Sequence, residues 1–117
     1  MLYFTSDLHL GDEKVLISRS GRPFSNIEEM NNTIIDNINS VVGADDELWI
    51  LGDFAFRVDK IEVQKFRNRI NCRNVHLVYG NHDQDYSQER IFQSVQYYKE
   101  LKTPYGIVVL FHYPIME

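Results

Sequence analysis

Short apolar runs and amphipathic stretches alternate along this chain, and their spacing predicts its elements. Leu2 to Thr5, Glu47 to Leu51 and Val75 to Tyr79 are apolar runs of strand length, read as buried strands. Between the first two, Ile27, Met30, Ile34, Ile38 and Val41 recur at steps of three and four. They predict an amphipathic helix, opened by the capping-box spacing Ser25-Asn26-Ile27-Glu28 and ended near Gly43. Asp59 heads a second helix with Val63, Phe66 and Ile70 on one face. A shorter helical piece is expected near Lys14 to Ser18, broken by Gly21-Arg22-Pro23. In the last third Ser87 is expected to cap a short helix through Phe92, and Val95 to Leu101 to hold a strand. The turn Thr103-Pro104-Tyr105-Gly106 then leads into a final apolar run, Ile107 to Phe111.

The order strand, helix, strand, helix, strand predicts parallel α/β units, whose loops gather at the carboxyl ends of the strands. That end is where the polar clusters fall. Asp7-Leu8-His9 follows the first strand, Gly52-Asp53 the second, Gly80-Asn81-His82-Asp83 the third, and His112 the last apolar run. The topology therefore brings Asp7, His9, Asp53, Asn81, His82 and His112 to one rim, although they span more than a hundred residues.

Composition narrows the class. The 117 residues suit a single domain over 1–117, and 44% hydrophobic with 25% charged residues argues against disorder. A net charge of −5, from 12 basic and 17 acidic residues without a basic stripe, disfavours nucleic acid as a partner. No stretch approaches the roughly 20 apolar residues of a membrane span, and the start lacks the features of a signal peptide. The single cysteine, Cys72, fits a reducing compartment as a buried or bystander thiol, so the expected location is cytoplasmic.

The clusters carry oxygen and nitrogen donors suited to Mn, Fe, Zn, Co or Ni. Asp7 and His9, two apart on a loop, can turn toward one cation, although a lone His9 also suits a plain surface loop. Asp53 can share its two oxygens between two cations about 4 Å apart, or serve as a turn aspartate. Asn81 offers a neutral oxygen, His82 an acid, and Asp83 a carboxylate to orient the imidazole; a turn-forming sequence is the alternative. His76 lies inside an apolar run and is expected to bond within a sheet. Arg19 and Arg22 stand near the site-side loops as phosphate contacts or as solvated arginines.

As an ordered set, Asp7-x-His9, Gly52-Asp53, Gly80-Asn81-His82-Asp83 and His112 resemble the calcineurin-like metallophosphoesterases. Arg22-Pro23-Phe24 with Glu28-Glu29-Met30-Asn31 is similar to a small microbial subgroup of that family. The resemblance implies a layered α/β/β/α sandwich and two divalent metals bridged by a hydroxide that attacks phosphorus in line. It assigns Asp7 and His9 to the first metal, Asp53 to both, and Asn81 with His112 to the second. His82 would protonate the leaving group, with Asp83 aligning it.

Members of the family continue to a Gly-His-x-His segment, which this sequence does not contain before Glu117. The expected fold is thus C-terminally incomplete, with three outcomes open: a weakened enzyme, a homo-oligomer or partner completing the sheet edge and site, or a catalytically inactive binding module on the same scaffold. A phosphodiesterase acting on a small phosphorylated substrate, a nucleotide among the candidates, is the expected activity. Gly52-Asp53 is followed by Phe54-Ala55-Phe56-Arg57 rather than the Asp-Arg-Gly of the family's protein phosphatases, which argues against a protein substrate.

Overall fold

A computed structural model of the protein describes residues 1–17 and 22–112, the side chains of residues 16 and 17 excepted. Strand β1 (Leu2–Thr5) is followed by α1 (Lys14–Ile17), α2 (Ile27–Val41), β2 (Glu47–Leu51), α3 (Lys60–Arg69), β3 (Asn74–Val78) and β4 (Ser94–Gln96). The hairpin β5 (Lys99–Thr103) and β6 (Gly106–Leu110) closes the described part. Strands β1, β2, β3 and β4 form one parallel sheet in sequence order.

Sequential order has a physical consequence. Each crossover steps the same way along the sheet, and right-handed crossovers then put their helices on the same face. Strand alternation divides the core accordingly. Leu48, Ile50, Val75 and Leu77 point into the helix-side cluster with Ile35 of α2 and Val63 and Phe66 of α3. Trp49 and Val78 point the opposite way and pack with Leu110 of β6, with Leu101 of β5 against them. Helices, parallel sheet and antiparallel hairpin thus stack as layers of a mixed α/β fold.

Two details of the helices depart from the sequence expectation. The cap of α2 lies one residue later than the Ser25 spacing predicts. Asn26 accepts from the Glu29 amide at 2.8 Å, and the Glu29 carboxylate accepts from the Ser25 amide at 2.8 Å. The reciprocal logic of the capping box is kept with Asn and Glu29 as its pair. The buried face of α2 centres on Met30, Asn31 and Ile35, while Val41 is exposed and Val42 takes the inward place. For α3 the expected cap holds: Asp59 accepts from the Glu62 amide at 2.9 Å.

The segment from Ser87 to Phe92 is turns and bends rather than a helix, and the expected strand over Val95 to Leu101 is two strands, β4 and β5, in different sheets. Tyr86, Ile91 and Phe92 still join the helix-side core, so tertiary burial replaces local periodicity there. Arg19 and Gly21 lie outside the described residues, as does Tyr113 to Glu117.

Candidate metal centre

The loops leaving β1 and β2 are zipped together beyond the strands. The amides of Asp7, His9 and Leu10 donate to the carbonyls of Gly52, Asp53 and Phe54 at 2.9, 3.0 and 3.0 Å, and Phe56 returns a bond to Leu10 at 3.2 Å. Asp7, His9 and Asp53 adopt left-handed backbone, with φ of 54°, 53° and 54°. Non-glycine residues hold that conformation only where their surroundings fix it, and such positions gather at functional sites.

Two glycines make the room. A Cβ on Gly52 would stand 2.0 Å from His112 Nδ1, and one on Gly80 would stand 2.3 Å from Asp53 Oδ1. Gly52 also has φ +88°, so both space and backbone call for glycine.

The imidazoles are oriented by their far nitrogens. His9 Nδ1 lies 2.9 Å from the carboxylate of Asp12, which is buried and also accepts from the Lys14 amide. His112 Nδ1 lies 3.0 Å from the Leu51 carbonyl, which can only accept, so that nitrogen carries the proton. In both rings the Nε2 lone pair is left to face inward.

What they face is a set of acceptors. Asp53 Oδ2 lies 3.4 Å from His9 Nε2 and 3.6 Å from His112 Nε2. Asp7 Oδ1 lies 3.9 Å from His9 Nε2, and Asn81 Oδ1 lies 3.2 Å from His112 Nε2. Asp53 is 3% exposed, and among the described residues no lysine or arginine pairs with it. Carboxylate and amide oxygens and imidazole nitrogens converging on a buried carboxylate are a donor arrangement that suits a cation. Donors bonded at about 2.1 Å to one cation sit roughly 3–3.4 Å apart, close to the separations here. Ligand atoms of Asp7, Asp53 and His112 all lie within 4.8 Å of one another. The donor set therefore fits divalent metal ions.

His82 stands beside this group. Its amide donates to Asp53 Oδ1 at 3.0 Å, its ring meets the His9 ring edge-on at 5.5 Å, and it packs against Phe56 at 4.2 Å. Two expected roles are corrected. Asp83 does not align the His82 imidazole: its carboxylate accepts from the backbone amides of Asp53, Phe54 and Gly80 at 2.8, 2.9 and 2.8 Å, locking one loop to the other. Burial raises its pKa despite those three bonds. Arg22 is likewise engaged with backbone. Its guanidinium donates to the carbonyls of Asp7 and Leu8 and holds the β1 loop from outside.

Asn31 acts beside it, its side-chain oxygen accepting from the Gly11 amide at 3.0 Å. Arg22 and Asn31, two residues of the subgroup-like segment, therefore support the backbone of the first ligand loop. Asp12 and Asn31 were not among the expected site residues. The only signal for Asp12 was its position three residues after His9.

The sequence matches the calcineurin-like phosphoesterase family over residues 2–116. The chain belongs to that family, whose chemistry is metal-dependent phosphoester hydrolysis. It is similar to an uncharacterized protein, MJ1445, of Methanocaldococcus jannaschii, 36% identical over 94 residues, which cover 79% of this chain and 52% of that protein. It is also similar to the Gene 66 protein of Mycobacterium phage L5, 34% identical over 90 residues, 75% of this chain and 42% of that one. The crystal structure of AQ665, a protein of unknown function from Aquifex aeolicus, shares the fold with a TM-score of 0.80 and 29% identity. That match covers 97% of this chain and 61% of AQ665. The chain spans about half the length of the curated relatives it matches. Among the described residues no helix is long and apolar enough to cross a membrane.

Proposed function

We propose that the protein hydrolyses a small phosphodiester or phosphomonoester at a centre of two divalent cations that share Asp53. Asp7, His9 and Asp53 hold the first cation; Asp53, Asn81 and His112 hold the second. The observation that carries this reading is the convergence of acceptors on buried Asp53 Oδ2, with His9 and His112 Nε2 at 3.4 and 3.6 Å. When bound, such cations supply Lewis acidity toward the phosphoryl oxygens and activate water.

The residues of the chain do the rest. Asp12 and the Leu51 carbonyl keep the two imidazoles in the tautomer that presents Nε2. His82, held by its amide on Asp53, gives a proton to the departing oxygen. An acidic chain with 17 carboxylate residues favours a small substrate over a polyanion.

Calorimetric titration of metal-stripped protein with Mn²⁺, alongside hydrolysis of bis(p-nitrophenyl) phosphate, tests the reading. Two Mn²⁺ per chain with turnover are expected, and Asp53→Asn should lose both. Turnover equal in wild type, Asp53→Asn and His82→Ala would refute it. Absence of both binding and turnover would favour a binding module on the same scaffold.

A further inference from the structure

Four non-glycine residues have positive φ among the described residues: Asp7, His9, Asp53 and Arg57. Three belong to the metal centre, and the fourth, with φ 61°, does not. Left-handed backbone at an arginine is costly and persists where neighbours impose it. Here Phe56 is tied to Leu10 by a backbone bond at 3.2 Å, and Ala55 bridges to the same residue. The Arg57 guanidinium lies over the Phe56 ring, 5.0 Å from its centroid. Phe56 in turn packs on His82 at 4.2 Å, and His82 on His9 at 5.5 Å. A chain of ring contacts thus links His9, His82, Phe56 and Arg57.

We propose that Arg57 is a specificity-determining residue that binds an anionic group carried by the leaving group, favouring substrates whose phosphoryl group departs on a second phosphate. The inference rests on the phosphoesterase reading and on His82 standing beside the departing oxygen. Arg57 is exposed, and among the described residues no carboxylate pairs with it in a protein of net charge −5. The guanidinium lies over the Phe56 ring at 5.0 Å, and its fork of donors suits bidentate binding of phosphate. Arg22 is committed to backbone carbonyls, and Lys60 and Lys65 pair with Glu89 and Glu62. In the chain of ring contacts Arg57 stands one step beyond Phe56 from His82.

The test uses the Mn²⁺-loaded protein, bis(p-nitrophenyl) phosphate as reporter substrate, and ADP-ribose, whose hydrolysis releases a phosphomonoester. ADP-ribose competes whether or not it is turned over, so its inhibition constant is readable in either case. Arg57→Gln should raise that constant about tenfold more than it raises the KM of the reporter, and Arg57→Lys should restore part of the difference. Direct calorimetric titration of ADP-ribose should show the same shift. Absence of competition in wild type, or equal shifts for both ligands, would overturn the role of Arg57 while leaving the hydrolase reading standing. Failure of the reporter reaction in wild type would instead remove the reading on which the role depends.

Discussion

Replacing Asp83 with asparagine separates two jobs that a carboxylate can do next to a histidine. Oδ2 of Asp83 accepts from the amides of Asp53 and Gly80, and Oδ1 from that of Phe54. Asparagine keeps one oxygen. Seated at the Oδ2 position it retains two bonds and turns its NH₂ toward the Phe54 amide, donor against donor, at a residue of 0% exposure. A buried donor left without an acceptor costs about 1–3 kcal/mol. An opposing effect is smaller: burial already raises the Asp83 pKa, so the neutral amide avoids part of a desolvation cost that the carboxylate bears. The net expectation is a loss of about 1–2 kcal/mol in metal-free protein, read as a lower urea midpoint with an unchanged slope. Mn²⁺ affinity should fall as well, because the Asp53 and Gly80 loops lose part of their common anchor. The pH–rate profile should keep its shape, since nothing that orients His82 has changed. An unaltered urea midpoint with a displaced acid limb of that profile would refute the reasoning and return Asp83 to the imidazole.

Two further outcomes follow from close contacts and burial. Gly52→Ala puts a Cβ where His112 Nδ1 sits and adds a left-handed backbone penalty of about 1–2 kcal/mol; calorimetry should show Mn²⁺ binding weakened roughly 10–100-fold in a chain that still folds by circular dichroism. The Tyr86 phenol is 1% exposed, and burial pushes its pKa up to about 12. Between the ordinary value of 10.0 and about 12 the unfolded chain releases this proton while the folded one keeps it. Stability therefore falls as pH rises through that window, by about 2–3 kcal/mol in total. Tyr86→Phe should remove this alkaline loss, measured as urea midpoints at pH 7 and pH 11; an equal alkaline loss in the variant would count against it.

The readable part of this molecule was its periodic part. Three short apolar runs became β1, β2 and β3, and parallel topology then dictated that Asp7, Asp53 and Asn81 share one end of the sheet. Spacing does not encode the direction of a side chain on a loop. Asp83 follows His82 directly, yet the strained backbone of the facing loop turns amides toward the carboxylate and leaves the imidazole to Phe56. Arg22, near the site-side loops, read as a phosphate contact or as a solvated arginine. Its guanidinium donates to the carbonyls of Asp7 and Leu8, a long-range contact that spacing does not encode. Asp12 escaped notice because a carboxylate three residues after a histidine becomes meaningful only once His9 is known to need its Nδ1 held. Past Tyr86 the aromatics follow neither helix nor strand period, and long-range packing decides the path there.

The ligand loops are stitched to one another by backbone bonds from Asp7 to Gly52 and by Asp83 from Gly80 to Asp53 and Phe54. The complete candidate set therefore assembles only when the loops after β1, β2 and β3 are all in place. On the proposed reading, by mass action each tenfold rise in free cation above its dissociation constant would add about 1.4 kcal/mol of stability per bound cation, less whatever the unfolded chain binds. On that reading, cation availability and resistance to unfolding become two views of a single equilibrium.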